Sequence, residues 1–103
     1  MSPVAKIEFH PAAAAEFDAA TEWYRENSER AAENFVGEVD QAIARITRNP
    51  STWGNYLFGT RRCLLLHFPY AIVYFLHEDV IKIVAVAHGR RRPGYWKKRL
   101  KTY

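Results

Sequence analysis

Arg90, Arg91, Arg92, Lys97, Lys98, Arg99 and Lys101 fall within the last fourteen residues, interleaved with Tyr95, Trp96 and Tyr103 and with no carboxylate among them. A guanidinium offers a planar fork to phosphate or carboxylate, a lysine adds compact positive charge, and flat aromatic rings offer faces for unstacked bases. Such a segment suits a polyanion or an acidic partner. A tail that only solvates the chain has no use for Tyr95 and Trp96. Arg61-Arg62 forms a second cationic pair, for which edge protection or pairing with helix carboxylates is an equally good role.

Charge is divided along the chain. Residues 1–60 carry five Lys/Arg against nine Asp/Glu, a net of −4, and residues 61–103 carry ten against two, a net of +8. The acidic part reads as a helical layer and the basic part as the side where a partner's field is felt.

Other chemistries find little support. Cys63 is the single cysteine, so it forms no internal disulfide and builds no metal spacing; it reads as a small apolar strand residue. No pair among His10, His67, His77 and His88 has metal-ligand spacing, and no cofactor is expected. Gly89 and Gly94 lack the strand-to-helix setting of a phosphate-cradling loop. No apolar run is long enough to span a bilayer, and Met1 is followed by Ser2-Pro3-Val4-Ala5 instead of a basic, then apolar leader. The expected location is the cytoplasm.

A chain of 103 residues, 49% hydrophobic and 15% aromatic, makes one domain with one core, here spanning 1–103 with the basic aromatic segment at 90–103. Alternation over Val4–Phe9 predicts a short strand. Pro11 suits a first helical turn, and Ala13, Phe17, Ala20 and Tyr24 recur on one face of a helix from Ala12 to Asn27. Ser28 caps a second helix with the stripe Ala32, Phe35, Val39, Ala42, Ile43 and Ile46, stopped by Asn49-Pro50. After a loop over 51–60, three strands follow: Arg61–Phe68, Tyr70–His77 and Val80–His88. The middle one is apolar on both parities and belongs in the centre. In the last, Ile81, Ile83, Ala85 and Ala87 are expected on one face, toward the helices, with Lys82, Val84, Val86 and His88 on the other. The fold class is therefore α+β: an N-terminal strand, then a helical hairpin packed on one face of an antiparallel sheet.

In that order, Trp23-Tyr24, Phe35 through Ile46, Asn49-Pro50, Arg61-Arg62, Phe68-Pro69-Tyr70-Ala71-Ile72-Val73-Tyr74 and Ala87-His88-Gly89-Arg90-Arg91 resemble the RelE/ParE superfamily of bacterial toxins. The resemblance covers nearly the whole chain. It implies a growth-inhibiting toxin of a type II toxin–antitoxin, or plasmid-stabilisation, module. A cognate antitoxin wraps such a toxin, and the pair represses its own operon, so operator DNA is met through the antitoxin.

The superfamily divides by target. RelE-like members cut mRNA on the ribosome, whereas ParE-like members inhibit DNA gyrase. For RNA cleavage, His88 would serve as acid or base, Arg61 and Arg90 would stabilise phosphorane charge, and Tyr95 would stack a base or donate a proton. A strand-end histidine bonded to backbone is an equally good reading of His88. For a binding toxin, Arg62, Arg91, Arg92, Trp96, Lys97, Lys98 and Arg99 are the expected contacts with target or partner. RelE-like toxins carry lysines between the second helix and the next strand, but residues 49–60 here contain no lysine or arginine. Trp53, Tyr56 and Phe58 stand there instead, as core lids or as a docking surface. The ParE-like branch is the closer one.

Overall fold

A computed structural model describes residues 6–102. Strand β1 (Lys6–Phe9) leads into helix α1 (Pro11–Asn27), and Val4 and Ala5 of the expected strand lie outside the described residues. His10 caps α1, its Nδ1 accepting from the Ala12 amide at 3.0 Å, and Pro11 occupies the first turn, where its missing N–H costs nothing. Ser28 is extended (φ −166°, ψ 150°) and so ends α1, while its Oγ accepts from the Ala31 amide and opens helix α2 (Glu29–Arg48). One residue thus makes the hairpin. Asn49 leaves helical geometry just before Pro50, whose ring disfavours the α conformation at the preceding residue.

Strands β2 (Arg61–Leu64), β3 (Tyr70–His77) and β4 (Val80–His88) form an antiparallel meander, and the sheet order is β1-β4-β3-β2. The antiparallel expectation describes β2 to β4. Strand β1 joins β4 in parallel, Ile7 opposite Ile81, because the helical hairpin returns the chain to the same end of the sheet. Glu78 and Asp79 both take positive φ (50° and 63°), the backbone of a two-residue hairpin turn that matches strand twist.

Three expectations are corrected. Strand β2 ends at Leu64 instead of Phe68, because the Leu66 and His67 amides donate to the Glu38 carboxylate of α2 at 3.0 and 2.9 Å and leave the ladder. A bulge between Val73 and Tyr74 pairs Val73 with Ala85 and Tyr74 with Ile83, so Val84 is the extra residue and the facing of β4 inverts beyond it. Ile81, Ile83 and Val86 pack under the helices, whereas Val84, Ala85 and Ala87 lie on the opposite face. Ala85 is therefore no partner of the helices.

The third correction concerns the tail. Residues 90–101 fold back on the helix-free face of the sheet, ending in a 3-10 turn over Lys97–Lys101, and Trp96 is 1% exposed. Trp96 joins Val73, Val84 and Ala85 in a second core, with Tyr56, Tyr95 and Leu100 around it. The larger core lies between sheet and helices, where Phe35 is ringed by Phe17, Tyr24, Phe68 and Tyr70 at centroid distances of 5.2–5.9 Å. The hairpin and the tail thus cover opposite faces of one sheet.

Candidate functional site

The end of β4, the segment after it and the edge strand β2 bring most of the cations of the basic half together. What anchors them is a carboxylate of the acidic half. Glu16 on α1 accepts from the Val86 amide (3.0 Å), the Tyr95 hydroxyl (2.7 Å) and both terminal nitrogens of Arg99 (2.9 and 2.8 Å). Arg99 Nη1 also donates to the Val84 carbonyl at 3.0 Å. Strand β1 pairs with β4 only as far as Ile83, so Glu16 and Arg99 satisfy the edge groups that β1 leaves open. The Glu16 hydrogen bonds hold the Arg99 guanidinium in its charged form, and burial, reinforced by Glu16, pushes the Tyr95 phenol well above the usual tyrosine range.

Beside this anchor lies a groove of about 330 Å³ on the helix-free face. Val73, Ala71, Ala87 and Trp96 line its base, Arg62 and Tyr56 stand at one side, Arg91 and Tyr95 at the other, and no carboxylate lines it. The Arg62 guanidinium lies 4.1 Å from the Tyr56 ring centroid and that of Arg91 lies 3.8 Å from the Tyr95 centroid. Lys97 covers Phe58 in the same way at 4.7 Å. Each contact contributes about 0.5–1 kcal/mol at an exposed site and fixes where a long cationic side chain points.

The residues expected for RNA chemistry are placed as follows. His88 ends β4, its Nδ1 accepting from the Arg90 amide at 3.0 Å and its ring lying edge-on to Tyr70. Arg61 stands opposite Tyr74 on β3 while His88 stands opposite Tyr70, four residues along the same strand. At a rise of about 3.3 Å per residue, that separates them by roughly 13 Å along the strand alone. Arg61 Nη1 donates to the Trp53 carbonyl at 2.5 Å and so ties down the loop before β2. The Tyr95 hydroxyl is held by Glu16, and the Arg90 side chain is exposed. His88, Arg90 and Tyr95 are neighbours; Arg61 belongs elsewhere.

Of the expected contact residues, Arg62, Arg91, Arg92, Lys97 and Lys98 are exposed. Trp96 and Arg99 instead build the platform. Trp53 packs against the helix-side core, Tyr56 against the Trp96 core, and Phe58 sits half exposed over Trp96. Glu16 was missed by sequence reasoning; a glutamate in the apolar first turns of α1, with no local cation at helical spacing, was its only signal. Among the described residues no group of His, Cys, Asp or Glu is arranged to hold a metal ion, and no helix is long and apolar enough to cross a membrane.

The chain is similar to known proteins over this whole architecture. The family described as ParE toxin of type II toxin-antitoxin system, parDE, matches residues 7–93. A search of curated proteins finds no match. Among solved structures, a chain of the chromosomal ParDE TA system from P. aeruginosa superposes with a TM-score of 0.71 at 16% identity, covering 84% of this chain and 98% of that one, a likeness of fold. The matched span runs from β1 through β4 to Pro93, and with it the chain belongs to the ParE toxin family, as the toxin of a type II toxin–antitoxin module whose partner is an antitoxin.

Proposed function

We propose that this toxin acts in the cytoplasm by binding and inhibiting DNA gyrase, with the cations around the folded tail as its contact surface, and that it does not cut RNA. The observation carrying this reading is the dispersal of the nuclease set. Arg61 is engaged with the Trp53 carbonyl and Tyr95 with Glu16, so neither is poised for a scissile phosphate. The loop over 49–60 offers no cation to a phosphorane either. Arg90, Lys97, Lys98 and Lys101 are exposed, and among the described residues no carboxylate forms a salt bridge with them. The antitoxin relieves inhibition, and operator DNA is met through it.

Deleting the tail would remove Trp96 from the core and confound folding with function, so point variants test the reading. His88→Ala should leave growth arrest intact, whereas Lys97→Gln, Lys98→Gln and Lys101→Gln combined should weaken it with the fold preserved by circular dichroism. A folded, harmless His88→Ala beside a fully toxic lysine variant would favour the RelE-like nuclease.

A further inference from the structure

We propose that the helix-free groove is a receptor for an acidic segment of a partner protein, with an apolar side chain on the Trp96 floor and carboxylates held by Arg62 and Arg91. This deepens the toxin–antitoxin reading by naming the chemistry of a protein partner. Charge supplies the first argument. No carboxylate lines the groove, and none forms a salt bridge with Arg62, Arg91 or Arg92 among the described residues.

The arrangement of the rings supplies the second. Single-stranded nucleic acid needs open aromatic faces on which bases stack. Here Arg62 lies over Tyr56, Arg91 over Tyr95 and Lys97 over Phe58, while Trp96 is buried. The rings support cations. A guanidinium lying flat on a tyrosine keeps its in-plane N–H groups free at the edge of the fork, and that edge is what a carboxylate engages with two parallel bonds. Because the side chains are already ordered, less entropy is lost on binding. Leu64, 59% exposed beside Arg62, extends the apolar floor to the edge of β2.

The test is direct binding by fluorescence anisotropy of a labelled hexapeptide alternating glutamate with leucine. Arg62→Gln with Arg91→Gln should weaken it by about a hundredfold, roughly tenfold for each charge-assisted contact, and added salt should weaken it further. Arg30→Gln with Arg48→Gln, which removes equal charge from exposed positions of α2, should change it less than about threefold. Equal losses in the two double variants would reduce the effect to net charge and overturn the proposal. So would equal binding of a glutamate–serine peptide, or displacement of the peptide by a single-stranded oligonucleotide that itself binds more tightly. Thermal melts verify that both variants fold; all four positions are exposed. Because binding is read without growth arrest or gyrase, failure here leaves the proposed target standing, and the reverse also holds.

Discussion

The Glu16 carboxylate receives both arms of the Arg99 guanidinium across 83 residues of sequence, joining the first helix to the last turn of the chain. The pair is largely withdrawn from water, with side-chain exposures of 16% and 17%. Removing one member strands the other, along with the Tyr95 hydroxyl and the Val86 amide. Glu16→Ala should therefore cost about 2–4 kcal/mol, a little below the range for fully buried pairs. In urea denaturation, a double-mutant cycle with Arg99→Ala should show coupling of about 1–3 kcal/mol. Additive losses would mean that the two act independently.

Stability should respond to acid through Glu38. Burial alone would raise its carboxyl, but hydrogen bonds from the His67 amide and ring and from the Leu66 amide outweigh burial and hold it below 4.5. A carboxyl depressed in the folded state stabilises above its unfolded value, and that contribution is lost as pH falls through the folded one. Melting temperatures measured from neutral pH down to about pH 3 should then fall more steeply for the wild type than for Glu38→Gln, most of all below about pH 4.5. Parallel curves would assign the acid sensitivity to other groups.

Phe35, fully buried, is the hub of the aromatic cluster between helices and sheet. Phe35→Ala should cost roughly 3–5 kcal/mol in chemical denaturation, the transfer loss of a ring plus the cavity it leaves. A cost below about 1 kcal/mol would contradict its place in the core.

Both helices, the last two strands and the helix-side core were legible because each rests on local periodicity: Phe17, Ala20 and Tyr24 on one stripe, Phe35, Val39, Ala42 and Ile46 on another. Ser28 and Pro50 carried the helix ends. What failed depends on contacts distant in sequence. No pattern in Val80–His88 announces that Val84 is extra, because a bulge is a property of two strands, and its consequence was to send Ala85 to the wrong face. Leu65–Phe68 reads as strand until Glu38, on another element, takes two of its amides. Trp96 sits among cations, so local composition placed it at the surface; only the helix-free face of the sheet, with Val73, Val84 and Ala85, explains its burial. In the candidate site the exposed cations were legible from charge alone, whereas the carboxylate that fixes the platform, Glu16, lies in the half of the chain with the opposite charge.

The central claim is that this ParE-family toxin disables gyrase by binding, and supercoiling of relaxed plasmid by purified gyrase and ATP measures it most directly. Added toxin should inhibit supercoiling in proportion to its concentration, His88→Ala should inhibit as well as the wild type, and Lys97→Gln, Lys98→Gln and Lys101→Gln combined should need at least about tenfold more protein, as expected when several charged contacts are lost together. Undisturbed supercoiling at toxin concentrations that cut mRNA on translating ribosomes would contradict the account.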